Sequence, residues 1–571
     1  MSEIPPKDEL NGLNKATIKE ALLRHNFLPR QHDHKEELPP IFNSRQFTPA
    51  VADALEKIPL RIKQGYDLLS FKRTRHPNIP RVMGIPHPRA YVELVNVISE
   101  NWTEISPFCT SPNSQLEFGL YDDGRMLVHA YNQIADDGAL EDQDPMTDFG
   151  MSYRLKTDIN AFYPSVYSHA VPWALVGHGR AKQDRNKKSW FNEIDAAIRI
   201  CQRNETKGLP IGPGTSSIIA EIVLYPIDKY LRSEGFQFTR YIDDYTVFLL
   251  NKGACDKFLI NLSTELGRYS LSLNLKKTRI SELPVPRREP WVTEISILLN
   301  RYAEPLGFED KPTKLEVRHL RPIIDRALEL SIDYPDGSVM KYTLAAIIDL
   351  LPEKPMLRIV DSEEQRFIED ALFRYAYFYP SIIPLIQRHL QSFYTTDSRV
   401  VDRVEQRISK LLDRSFELGQ SDNIVWCLYY LLQLGGAGQQ VFADRCCRSD
   451  DPIVISMGYC YAKKSELDTS SFSQWAAQII VDIEKGTLSE YDLDRLWLPL
   501  YQLFFDNVLG EMPYPKKDDQ AVFDLLKQEG VSFIDFTHDD FHSYPHRRFS
   551  HYFSEGLDDL EPPPLPDAGS A

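Results

Sequence analysis

The chain has 571 residues, a formal net charge of −17, 42% hydrophobic and 26% charged residues. That length exceeds what one hydrophobic core supports, so at least two domains are expected, and the composition excludes a collagen-like or wholly disordered chain. No apolar run approaches about 18 residues and the N-terminus lacks a basic-then-apolar leader, which excludes a membrane-spanning helix and leads us to expect a soluble, cytoplasmic protein.

Residues 1–50 hold one short amphipathic pattern, Lys15 to His25, followed by a Pro- and Glu-rich stretch, and read as an arm that packs on another part of the molecule. From Lys57 to Arg89 the character changes: Lys57, Arg61, Lys63, Lys72, Arg73, Arg75, Arg81 and Arg89 face a single acid, Asp67. In an acidic protein this is a concentrated positive run suited to phosphate, although a solvated surface explains most such runs. Gly84-Ile85-Pro86-His87-Pro88-Arg89 reads as a rigid turn before a helix from Ala90 to Trp102. Asp136 to Asp148 carries acids and no cation, as a surface insertion would.

Next come short segments with chemistry in them. Leu155-Lys156-Thr157-Asp158 is strand-like and delivers one carboxylate ahead of Phe162-Tyr163. A second basic cluster follows, Arg180, Lys182, Arg185, Lys187 and Lys188 against Asp184, and could track a nucleic-acid backbone. Gly208, Gly212 and Gly214 interrupt a Pro-containing loop and permit close backbone approach, ahead of a helix from Ser216 to Tyr230. Then Phe238 to Leu250 sets Asp243-Asp244 between two runs of β-branched and aromatic residues, the pattern of a hairpin with acid at its tip. Arg240 is the cation close to that pair in sequence, and Asn274-Leu275-Lys276-Lys277-Thr278 closes the series.

Carboxylates from separate strands that converge on one place suit two hard divalent ions, with magnesium expected, because such ions prefer oxygen ligands and leave positions open for phosphate. Asp158 and Asp243 are the natural pair. Neighbouring strand residues point to opposite faces, so Asp244 ranks third.

In this order the segments resemble the successive palm motifs of reverse transcriptases, with Tyr241-Ile242-Asp243-Asp244 in the place of that family's hairpin box. The run Asp158 to Leu175, with Gly208 to Gly214 and Ile85 to Pro88, is similar to the abortive-infection (Abi) reverse transcriptases of bacterial antiphage defence. The resemblance covers roughly residues 30–300. It implies an α+β fold, right-hand polymerase fingers and palm, followed by an all-α helical-repeat (HEAT-like) domain. It implies a nucleotidyltransferase of RNA-directed DNA polymerase type with Mg2+, dNTP substrates, a single-stranded DNA product primed from a protein hydroxyl, no added template, and a homo-oligomer. By the same likeness Asp158, Asp243 and Asp244 are catalytic and metal-holding, and Tyr163 crowds a 2′-hydroxyl. Lys72, Arg73, Arg81, Gly212 and Lys277 would meet substrate. One property does not carry over by motif: residues 1–65 contain no tyrosine to serve as primer. A templated enzyme working with a dedicated RNA, resembling retron enzymes, and a helical scaffold with a relic palm stay open as alternatives.

After Arg301 the pattern is helical. Val400, Val401, Val404, Ile408, Leu411, Leu412 and Phe416 follow three-four spacing and stop at Gly419, and Asn423 to Leu434 is apolar nearly all round before Gly435. Similar segments without a strict period suggest degenerate repeats. The expected division is an arm at 1–50, fingers and palm at 51–300, helices at 301–554 and a disordered tail at 555–571. Seven scattered cysteines without a C-x-x-C pair read as buried thiols.

Overall fold

Alternation builds the central sheet. In β5 (Tyr153–Asp158) Leu155 and Thr157 are buried while Lys156 between them is exposed, and in β7 (Asp244–Leu249) Tyr245, Val247 and Leu249 are buried. In this computed structural model residues 14–29, 37–120, 126–130, 148–286, 289–302, 317–349, 363–392 and 398–537 are described. The acidic insertion from Asp136 lies almost wholly outside them, as does the tail at 555–571.

Two hairpins precede the sheet, β1 (Leu69–Arg73) with β2 (Arg81–Ile85) and β3 (Leu116–Leu120) with β4 (Met126–Ala130). The central sheet itself is antiparallel, ordered β6 (Phe238–Tyr241), β7, β5, β8 (Arg279–Glu282). Its register sets Asp244 opposite Asp158. Helices Gly214–Ser233 and Lys252–Arg268 pack against one another, and the second also packs on β5 and β7. Phe236 and Phe238 meet Phe258 of that helix at ring-centroid distances of 5.1 and 6.1 Å.

The described residues separate into two compact units, one within Met1–Arg287 and Ile408–Asp539 and the other within Arg288–Arg407. This grouping differs from the boundary drawn from sequence at residue 300, which falls inside the helix Pro290–Tyr302. The physical reason is a set of contacts between segments far apart in sequence. Aspartates of the later helices accept backbone N–H groups along β1 and its flanks: Asp67 N donates to Asp494 (2.9 Å), Lys72 N to Asp451 (3.0 Å) and Thr74 N to Asp422 (3.0 Å). They cover an edge that would otherwise be open to another strand. Asp451 also caps its own helix, Pro452–Lys464, by accepting from Ile453 N.

An aromatic core joins the same segments. Phe27 lies 4.7 Å from Tyr91 and 5.4 Å from Phe533, and Phe533 lies 5.2 Å from Trp497. The first helix, Lys15–His25, occupies its expected bounds under an Asn14 cap and packs on the helix Pro88–Glu100, where Tyr91 Oη donates to Leu22 O at 2.9 Å.

The second unit is helical among its described residues, and Arg403 binds Glu369 through two bonds of 2.9 Å. The C-terminal portion as a whole is largely helical, with Gly419 and Gly435 in the left-handed region just past the helices Ser398–Leu418 and Ser421–Leu434. Among the described residues no helix is long and apolar enough to cross a membrane. All seven cysteines are buried and free.

Arg61 is the charged centre of the join. Its guanidinium is buried against Asp494 and Asp519 and stacks 3.8 Å from the Tyr66 ring. Removing one partner of a buried ion pair leaves the others uncompensated. Arg61→Met is therefore expected to cost about 3–5 kcal/mol, read by urea denaturation; a loss below about 1 kcal/mol, the worth of an exposed pair, would show this cluster to be solvated.

Candidate active site

The tip of the β6–β7 hairpin is a two-residue turn, Ile242-Asp243, between Tyr241 and Asp244. Ile242 sits at φ +53°, in the left-handed region, at the turn position where glycine is the low-cost residue. For a β-branched side chain that conformation costs on the order of 1–3 kcal/mol and persists only where neighbours enforce it. Arg240 does so: its Nη1 donates to Ile242 O at 2.9 Å.

Arg240 is itself fully buried, and every N–H of its guanidinium is engaged. Nε and Nη2 bond Asp228, with Nη2 at 2.7 Å, and Nη1 and Nη2 each bond Glu221 at 2.9 Å. Both acids lie on the helix Gly214–Ser233 and are fully buried. Ser111 Oγ donates to Asp228 at 2.8 Å, and Asn113 O accepts from Arg240 N at 2.6 Å, which closes the outer edge of β6. The cation nearest in sequence to Asp243-Asp244 is thus committed elsewhere.

Glu221 and Asp228 were not singled out from the sequence. The available signal was two acids seven positions apart on one apolar helix face, an arrangement that burial tolerates only around a cation.

At the site, Asp158 closes β5 and is buried (3% exposed). Its Oδ2 pairs with Lys277 Nζ, its Oδ1 is buried without an N–H or hydroxyl donor, and the protonated Asp243 carboxyl hydrogen-bonds Asp158. Asp243 faces it: burial first, then the charges of Asp158 and Asp244, push the Asp243 carboxyl up to about 7. The backbone ties the two segments together, with Ile159 N donating to Asp243 O at 3.2 Å and Asn274 N to Asp158 O at 2.7 Å. Thr157 and Thr278 hydroxyls meet at 2.8 Å, which locates Lys277 beside β5. The Lys277 ammonium is held protonated, its pKa raised chiefly by its hydrogen bond to Asp158.

Asp244 is exposed and stands opposite Asp158 in register. Among the described residues no group of three or more His, Cys, Asp or Glu side chains is arranged to hold a metal ion. What the fold assembles is a close carboxylate pair, Asp158 with Asp243, with Asp244 next to it.

The other expected site residues divide. Tyr163 lies in the short helix Phe162–Ser165 just past β5, half-buried, with its carbonyl accepting from Leu209 N at 2.9 Å. Its ring meets Phe162 edge-on at 5.3 Å. Gly212, at φ +137°, is needed for an internal approach: a Cβ there would stand 2.8 Å from Pro29 Cγ. Close contact with the arm accounts for the glycine at this position. Lys72 Nζ pairs with Asp450 at 3.0 Å where both are exposed, and Arg73 pairs at 2.6 Å with the buried Glu37. Arg81 opens β2, half-buried.

Residues 151–310 match the family model described as reverse transcriptase (RNA-dependent DNA polymerase), and the chain carries a reverse-transcriptase-like domain there. No curated protein matches. Among solved structures, apo telomerase from Candida tropicalis aligns at 12% identity over 74% of this chain and 73% of that one, with a TM-score of 0.28. Telomerase from Candida albicans with a fragment of telomeric RNA aligns at 11% over 73% and 67%, with a TM-score of 0.26. Superpositions this loose carry no argument about the chain.

The crowding of carboxylates has a measurable consequence. Folded Asp243 keeps its proton up to about pH 7, whereas its ordinary value is 3.8, so the folded state binds more protons between those limits and stability falls as pH rises through them. Asp243→Asn removes the charge that is repelled. In chelator-containing buffer the variant is expected to melt several degrees above the parent at pH 8 and near it at pH 5; an equal difference at both pH values would mean that Asp243 does not feel its neighbours.

Proposed function

We propose that this chain is a DNA polymerase of reverse-transcriptase type, joining deoxynucleotides by nucleotidyl transfer at the β6–β7 hairpin. One observation carries the reading: Asp158 and Asp243, from separate parts of the chain, meet in a buried place where their two charges oppose each other and Asp158 Oδ1 has no N–H or hydroxyl donor. A buried carboxylate oxygen in that condition calls for a cation.

Magnesium fits this donor set, which is all oxygen. Asp158 and Asp243 would hold it, with Asp244 in support, and when bound it would supply charge neutralisation for a triphosphate and acidify a primer hydroxyl. The chain's own groups then have distinct tasks. Arg240 holds the strained turn, and with it the direction of the Asp243 carboxylate. Lys277 is the counter-ion of Asp158 and would stand beside an incoming triphosphate. Tyr163, placed just past Asp158, would crowd a 2′-hydroxyl and favour deoxynucleotides.

Within the basic run, Lys72 is the better phosphate ligand. Its pairing with Asp450 is exposed and worth at most about 1 kcal/mol, so a phosphate can displace it. Arg73 neutralises the buried Glu37 and is committed to it.

In the finer reading β1–β2 belongs to polymerase fingers, the central sheet to a palm, and the later helices to HEAT-like repeats. The motif resemblance around Asp158 to Leu175 and Gly208 to Gly214 supports an Abi-type enzyme in antiphage defence. On that reading synthesis is template-independent and protein-primed, in a cytoplasmic homo-oligomer.

The test is incubation of nuclease-treated protein with magnesium and labelled dNTPs, without template. Label retained on the protein through denaturation is expected, with Asp158→Asn and Asp243→Asn each lowering incorporation by roughly a thousand-fold or more. Activity only after RNA is added supports a templated enzyme instead, and silence under both conditions overturns the polymerase reading in favour of a helical scaffold. Tyr163→Ala is expected to raise ribonucleotide use relative to deoxynucleotide use in the same assay; an unchanged ratio removes Tyr163 from sugar selection.

A further inference from the structure

The basic residues of this chain are not treated alike by its acids. Among those between Lys57 and Arg89, Arg61, Lys72, Arg73 and Arg89 each pair with a carboxylate of the same molecule. The second cluster is different. Arg180, Lys182, Arg185, Lys187 and Lys188 are exposed, and none of them forms an ion pair with a described residue. The acid among them, Asp184, accepts from Ser189 Oγ at 2.7 Å and from Asn186 N at 2.9 Å, and feels the charge of Arg180. In a protein of net charge −17 this leaves a dense positive surface whose nearby acids, Asp184 beside Arg180 and Glu193 beside Lys188, form no ion pair with it.

The same surface carries a row of rings. Tyr167 lies 4.9 Å from His169 and 5.6 Å from Trp173; Trp173 stacks on His178 at 4.6 Å and 26°; His178 lies 5.7 Å from Tyr269. Tyr167, His169, Trp173 and His178 are half-buried, so part of each is open to solvent. Lys182 Nζ stands 6.0 Å from the Trp173 ring. Burial first, then the charges of Lys182 and Arg268, hold His178 below its ordinary pKa, which favours the uncharged ring.

Backbone pairing ties the segments that carry this row to the Gly-rich loop and to the residues directly after Asp158. Tyr167 bridges to Lys207 at the start of the Gly-rich loop, and past Tyr269 the chain reaches Ser272 and Leu273, which pair with Asn160 and Ile159 directly after Asp158.

We infer that the face formed by Tyr167, Trp173, His178 and the cations from Arg180 to Lys188 binds single-stranded nucleic acid next to the carboxylate site. Exposed cations take the phosphates, and part-open rings take unpaired bases. A duplex offers the phosphates but hides its bases, so it would use only half of this surface. An apolar or lipid partner would leave the cations and the polar rings unmatched. The inference rests on the polymerase reading only for which strand is held, template or product.

The test is fluorescence anisotropy of fluorescein-labelled oligothymidylate, oligouridylate and a DNA duplex with the full chain, across a salt series. Lys182→Glu/Lys187→Glu/Lys188→Glu, with all three changes on the surface, is expected to weaken single-strand binding at least ten-fold and to flatten the salt dependence by about two in slope. Trp173→Ala is expected to weaken it roughly ten-fold while changing duplex binding little. Tighter binding of oligouridylate points to a template strand and of oligothymidylate to a product strand.

Asp158→Asn should bind oligonucleotide as the parent does while losing incorporation, which separates a failure of this inference from a failure of the polymerase reading. Unchanged single-strand binding in the folded triple-lysine variant overturns the inference. So does a change in sedimentation mass alone, which would assign the face to contact with a second copy of this acidic chain.

Discussion

The structure turns on the side chain of Arg240. A hairpin that presents Asp243 toward Asp158 requires Ile242 to adopt a backbone conformation that isoleucine disfavours, and the Arg240 bond to the Ile242 carbonyl holds it there. A guanidinium can be buried at that point only if every donor is met, and Glu221 and Asp228 meet them from the adjacent helix. Helix, strand and turn are therefore one electrostatic unit. The unit also diverts the nearest positive charge away from the hairpin acids, so the carboxylate pair stays short of cation and Lys277 becomes the counter-ion of Asp158.

The acidic excess of the chain has the same logic. Asp422, Asp451, Asp494 and Asp519 are buried carboxylates that cap strand edges or hold Arg61, and burial raises the pKa of each. They serve cohesion rather than solubility. Their work is to bind helices from after residue 408 to a hairpin from before residue 90. Of the first basic run these acids hold Arg61, while Lys72, Arg73 and Arg89 pair with other carboxylates; the second run, at 180–188, faces solvent. Net charge alone says nothing about this division, because it is set by which acids reach which bases.

Particular residues show where local reasoning reaches its limit. The β6–β7 hairpin, the strand that ends at Asp158 and the helices ended by Gly419 and Gly435 were all legible, because their signals lie within about twenty residues and follow strand or helix periods. The pairing of Lys72 N with Asp451 spans 379 positions and leaves no periodic trace. Gly212 shows a subtler limit. Its need for a positive φ could be suspected from the loop, but that the close neighbour is Pro29 is decided by how the arm folds back.

The sequence by itself determined which carboxylates could meet, since the order of strand-like segments and the position of acids at their ends follow from local patterns of apolar residues. It also determined that the later chain is helical. Only the tertiary structure decided which charges remain available. Coulomb interactions depend on distance and burial rather than on chain order, so folding alone could commit Arg240 and Arg73 to buried acids, leave Asp158 Oδ1 without an N–H or hydroxyl donor, and keep the cations from Arg180 to Lys188 exposed.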